Sequence, residues 1–194
     1  MPNVEIHYDE EGSCNAYTTM DIPAGSPLLI CYANPYNPSA LFAKYGFLDH
    51  QAPATFCKMM DIIPSTENRN LGLSFSRMLF YREGGISEEV FDVLLFEHLS
   101  ENWQSQKDFY NACMNGDADT KAAYHQQYVG EVMGRLKKHV DSFLKDLDDL
   151  DNKANLKDPV KNSRIPMIMA HNAFVRETFL NVKQNSIDPV VGYQ

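Results

Sequence analysis

The sequence predicts an α+β fold in which a short β-rich segment precedes an all-α domain. Three observations predict it. Up to about residue 50, apolar residues sit in short β-favouring runs separated by turn residues; from about residue 62 they recur at three- and four-residue steps. The composition, 44% hydrophobic and 22% charged over 194 residues, is that of a globular protein. Eleven Phe and ten Tyr add aromatic bulk for a core. The expected organisation is a β-rich domain over 1–50, a linker over 51–61 and a helical domain over 62–194.

Val4-Glu5-Ile6-His7-Tyr8 favours a strand, Asp9 to Gly12 supplies turn chemistry, and Asn15 to Thr19 returns as a second strand. After a turn at Pro23-Ala24-Gly25, the run Leu28-Leu29-Ile30-Cys31-Tyr32 suits a buried strand. Asn37 followed by Pro38 reads as the start of a short helix that Gly46 ends.

Further on, Ser87 is an N-cap candidate, with Glu88 and Glu89 favourable to the helix dipole and Ile86 and Phe91 at the two staple positions. Val90 to Leu99 has the composition of a buried helix. A longer helix is expected from near Asp119, with Tyr124, Tyr128, Val132, Leu136, Val140, Phe143 and Leu147 as one apolar stripe. The acidic run Asp146 to Asp151 and the polar stretch to Lys161 read as a loop or fraying helix end. A last helix is expected from Ile168 to Val182. There is no fixed-period repeat and no low-complexity segment.

The formal net charge of -9 disfavours nucleic-acid binding and suits a basic protein segment. The four cysteines, Cys14, Cys31, Cys57 and Cys113, show no metal-ligand spacing, and the six histidines show neither ligand spacing nor an evident nucleophile partner. No metal site is therefore expected. Apolar runs are too short for a membrane span, and no targeting segment is evident. The reading is a soluble intracellular protein, with cytoplasm, nucleus and plastid all open.

The first fifty residues would bury too little surface to be stable alone, so their apolar positions call for partner strands. Their motifs suggest which. Asp21-Ile22-Pro23-Ala24-Gly25-Ser26-Pro27-Leu28-Leu29-Ile30-Cys31-Tyr32, then Asn37 to Leu41, then Lys44-Tyr45-Gly46-Phe47, resembles the end of a SET domain. The likeness is to the class that includes Rubisco large-subunit lysine methyltransferase, whose members carry a helical substrate-binding domain directly afterwards. The resemblance implies an S-adenosylmethionine-dependent protein-lysine N-methyltransferase. Tyr32 matches the tyrosine at the methyl-transfer centre, Tyr45 an aromatic wall of the substrate channel, and Phe47 a residue packing near the cofactor adenine. The implied partner is a protein bearing a target lysine, or a histidine, since relatives use both.

Methyl transfer needs a neutral amine aligned behind a sulfonium methyl, and a narrow aromatic channel supplies alignment and desolvation. The sequence also departs from the family. Ala33 stands where a glycine usually follows the tyrosine, and Pro2-Asn3 resembles only the tail of the Asn-His-Ser-Cys-x-Pro-Asn motif. The Asn-His pair and the earlier glycine-rich strand that contact the cofactor are absent, so the chain alone is expected to be an inactive C-terminal fragment. Two other readings stand beside this one: a non-catalytic protein-binding module built on the helical domain, and a helical scaffold whose SET likeness is accidental.

Overall fold

The computed structural model describes residues 2–32, 36–158 and 160–191. It is an α+β fold, mostly helical, with two small antiparallel sheets. The chain divides into two compact units, Met1–Asn34 and Pro35–Gln194.

In the first unit, strands β1 (Val4–Tyr8) and β2 (Cys14–Thr18) form a hairpin, with Val4 opposite Thr18 and Tyr8 opposite Cys14. The Asp9 carboxylate accepts the N–H groups of Glu11 and Ser13, and Gly12 closes the turn at a φ of 82° that favours glycine. At the next turn the Ser26 N–H donates to the Pro23 carbonyl. Both turns agree with the sequence reading.

The buried strand expected over 28–32 does not form. The segment has no strand structure, and Leu28 is 67% exposed. Its contact with the hairpin centres on one place, where Asn3 and Val4 donate their backbone N–H groups to the Leu29 carbonyl. A strand needs a ladder that continues in register, and here part of the pairing comes from the Asn3 side chain instead. Of the hairpin strand residues, only Val4 is buried.

The second unit opens with helix α1 (Pro38–Tyr45), then strand β3 (Ala54–Phe56), helix α2 (Thr66–Leu71) and strand β4 (Leu79–Tyr81). β3 and β4 pair antiparallel, Ala54 opposite Tyr81 and Phe56 opposite Leu79. Residues 51–61 are therefore not a linker: Ala52, Ala54, Phe56, Cys57 and Met59 are core. Nor is the region after them purely helical. Strands of three residues are too short for an alternating pattern to declare itself.

Helix α3 (Glu88–His98) begins where expected, but Ser87 is not its side-chain cap. The Ser87 hydroxyl donates to the Arg77 carbonyl at 2.7 Å and accepts the Leu79 N–H at 2.9 Å, tying down β4 instead. Helices α4 (Trp103–Asn115), α5 (Ala118–Gln127) and α6 (Val129–Asn155) follow. The single long helix expected from Asp119 is thus two, broken at Tyr128. The apolar stripe masks the break because it continues across it; the Tyr124 and Tyr128 rings stack with centroids 6.5 Å apart.

Of the two readings of the acidic run Asp146 to Asp151, a loop or a helix end, the second holds: the run lies in the last turns of α6, and Arg176 pairs with two of its four aspartates. That residue lies on helix α7 (Ile165–Val182) and bonds both Asp148 and Asp151. A π-helical turn, Lys183–Ile187, leads into the short helix α8 (Asp188–Val191).

The core of this unit lies between β3–β4, α3, α6 and α7. Phe80 meets Phe179 edge-to-face at 4.9 Å, and Phe143 stacks on Phe179 at 4.6 Å. Val132, Leu136, Val140, Leu144 and Leu147 bury one face of α6. Each such side chain contributes about 1.5–3 kcal/mol of burial. Among the described residues, no helix is long and apolar enough to cross a membrane.

Candidate functional site

Two of the three candidate site residues, Tyr45 and Phe47, lie at the C-terminal end of helix α1. Asn37 caps it, its Oδ1 accepting the Ser39 N–H at 3.2 Å, while its Nδ2 donates to the Phe75 carbonyl. Gly46 ends it in the left-handed region at φ 73°, donating its N–H to the Phe42 carbonyl. A β-carbon there would sit 3.6 Å from the Met167 side chain, so backbone conformation rather than space demands glycine.

This cap reverses the chain between Tyr45 and Phe47, which remain 39% and 64% exposed. The Lys44 ammonium lies 5.2 Å from the Tyr45 ring centroid, a cation–π contact. Tyr32 belongs to the other unit, at the end of the irregular 27–32 segment, and is 63% exposed. Exposed aromatic rings of this size have surface available to a ligand. Ala33, where the family pattern has glycine, lies outside the described residues, as does Met1.

No family model, curated protein or solved structure matches the chain.

The second unit also assembles two polar clusters that sequence reasoning missed. Beneath α1, the Lys58 ammonium donates to Ser39 Oγ at 2.6 Å, and that oxygen lies 3.1 Å from His171 Nε2. The His171 ring stacks on Phe42 at 4.5 Å. Burial lowers Lys58 to about 8, and burial together with the Lys58 charge lowers His171 to about 4. Lys58 also holds a positive φ of 61°, rare for a residue with a side chain. The one sequence signal was a lysine inside the apolar run Ala54 to Met60; Ser39 and His171 lie 132 positions apart, beyond any spacing rule.

The other cluster sits between α3 and α5. Asp92, buried on α3, accepts from Lys121 at 2.7 Å and contacts His125 at 2.8 Å, and Lys121 also pairs with Glu88. Burial works against the Lys121 charge, but its carboxylate partners outweigh it and raise its pKa. With its acid and its bases mutually satisfied, this cluster reads as a tie between helices. Among the described residues, no group of three or more His, Cys, Asp or Glu side chains is arranged to hold a metal ion.

Proposed function

We propose that this chain is the closing part of a SET-type, S-adenosylmethionine-dependent protein-lysine N-methyltransferase, followed by the helical region that engages the protein substrate. The observation carrying this reading is the α1 boundary. Asn37 and Gly46 fix both ends of the helix, and Tyr45 and Phe47 flank the terminal cap with much of their rings exposed. Those are the positions at which the SET pattern needs a channel wall and a cofactor contact.

The residues at hand fit part of the cofactor. The exposed Phe47 ring offers an adenine a stacking face, whereas partners for the cofactor's amino-acid end are not among the matched residues. When bound, S-adenosylmethionine supplies an electrophilic methyl group on a sulfonium. In this reading Tyr45 walls the lysine channel and strips water from the amine, which favours its neutral, nucleophilic form. The resemblance gives the Tyr32 hydroxyl the role of accepting a hydrogen bond from an amine and orienting its lone pair.

The test joins the chain to the coding sequence that precedes it in the genome and follows transfer of a labelled methyl group to lysine. Transfer that falls at least about tenfold in Tyr32→Phe supports the reading. It fails if the preceding sequence encodes neither a glycine-rich strand nor an Asn-His motif, or if no label is transferred. The 194-residue chain alone should show no micromolar S-adenosylmethionine binding by calorimetry, and such binding would contradict an incomplete cofactor site.

A second reading, a non-catalytic protein-binding module, draws on a cleft of about 630 Å³ on the helical unit, lined by Ile63, Asn68, Phe96, Glu97, Trp103 and Lys107. Exposed Ile63 and Trp103 give it apolar contact surface. A saturable protein partner lost on Trp103→Ala, with no methyl transfer from the extended protein, would favour this reading.

A further inference from the structure

We infer that Ser39, Lys58 and His171 form a nucleophilic site at which the Ser39 hydroxyl is acylated by small activated esters or thioesters. The inference is independent of the methyltransferase reading. It rests on three chemically complementary groups from separate elements meeting at hydrogen-bond distance: Ser39 on α1, Lys58 after β3 and His171 on α7. A serine becomes nucleophilic when a base within reach takes its proton and a third group fixes the arrangement.

Here Lys58 is the base. Its amine is mostly buried beside Cys57, whose thiol burial pushes up to about 12 and so keeps neutral. His171, neutral and stacked on Phe42, holds Ser39 Oγ from the other side. The strained backbone at Lys58 argues for a specific placement of its side chain, since glycine would adopt that φ without cost.

Ser39 also occupies the first turn of the eight-residue helix α1, where Pro38 has no N–H and Asn37 takes that of Ser39, leaving the Ala40 N–H beyond the reach of an intrahelical acceptor. Such a group can receive the negative charge that develops on an acyl oxygen. The cluster is half-buried, which restricts the acyl group to a short one.

Neutral Lys58 accepts the Ser39 proton as the Oγ–carbon bond forms. The carbon–oxygen or carbon–sulfur bond to the leaving group then breaks, and the Lys58 ammonium returns the proton to that leaving group. Water, activated by the same amine, hydrolyses the acyl-serine and regenerates the hydroxyl.

The test incubates the intact chain with p-nitrophenyl acetate, and separately with a fluorophosphonate, and maps adducts by peptide mass spectrometry. The expected result is a single adduct on Ser39, forming at a rate that rises with pH through about 8. Lys58→Gln should slow it at least about tenfold and remove that inflection, while Ser39→Ala abolishes it. A merely structural cluster would leave Ser39 unlabelled. The inference is overturned by absence of label on Ser39 in the folded wild-type chain, or by labelling whose rate and pH profile are unchanged in Lys58→Gln. If a variant fails to fold, the wild-type adduct and its pH profile decide alone.

Discussion

Asn3 grips Leu29 from two directions. Its side-chain Oδ1 accepts the Leu29 N–H at 2.7 Å, and its own backbone N–H donates to the Leu29 carbonyl at 2.9 Å. A third bond, from Asn3 Nδ2 to the Pro27 carbonyl, extends the clamp. Asn3→Ala should therefore release residues 27–30 while leaving the β1–β2 hairpin intact. Amide hydrogen exchange checks this: Leu29 should lose protection by about tenfold or more, and Tyr17 should keep its own. Equal loss at both would show that the hairpin depends on the clamp.

On α3, Asp92 is the shared acceptor for Lys121 and His125, and it is buried where they are only partly so. Asp92→Ala leaves His125 without this acceptor and Lys121 with Glu88 alone, and should cost about 2–4 kcal/mol in denaturant unfolding. Asp92→Asn, which retains one oxygen acceptor, should cost less. An alanine variant as stable as the wild type would mean that α5 is held by packing alone.

The turn at Gly84 is clasped by the end of α7 and the π-helical turn after it: Asn181 donates to the Arg82 carbonyl, Asn185 to the Glu83 carbonyl, and Ser186 to that of Gly84 itself. Gly84 lies at φ 102°, and a β-carbon there would approach the Asn181 carbonyl oxygen to 2.7 Å. Gly84→Ala should destabilise the protein by at least about 2 kcal/mol through strain and backbone overlap together. A thermal melt within a degree or two of wild type would contradict this.

The strong local signals in the sequence read true: the Gly12 and Gly25 turns, the Asn37 cap with the Gly46 stop, and the stripe on α6 all arise from residues close in the chain. What the sequence concealed depends on distant partners. Ser87 has the composition of a cap, yet its hydroxyl is drawn to Arg77 and Leu79. Leu28 to Tyr32 has the composition of a buried strand but lacks the paired neighbours that would make it one. Among the candidate site residues, the caps around Tyr45 and Phe47 were legible because they are local; Ser39, Lys58 and His171 were not, because only tertiary folding brings them together.

Two half-buried histidines predict a particular acid response. Burial lowers His139, which contacts the Cys57 carbonyl through Nε2, and lowers His171 to about 4. Both folded values lie below the unfolded 6.5, so the unfolded chain binds more protons in that window. Their contribution is fully present above pH 6.5 and is lost as pH falls towards about 4. Denaturation midpoints measured across this range should decline on acidification, and less steeply in His171→Gln. An equal slope in that variant would remove His171 as a cause.

Lys58 carries the opposite implication for neutral pH. Burial holds its folded value near 8, below the unfolded 10.5, so at pH 7 the folded state bears a cost that disappears as pH rises above 10.5. Lys58→Met should raise stability at pH 7 by about 1–2 kcal/mol, even though the bond to Ser39 is lost. A lower melting temperature for Lys58→Met would show that this bond outweighs the burial of charge.

Helix α6 is one rod with two kinds of fastening. As far as Leu147 it is seated by apolar side chains, which ions in solution scarcely affect. Past that point Leu150 is half exposed, and Arg176 grips the helix through Asp148 and Asp151. Added salt also screens the Lys137–Asp188 and Lys183–Asp141 pairs on the seated portion, but there the apolar face still holds the helix, so the last two turns should unwind first and ionic strength sets the working length of the helix.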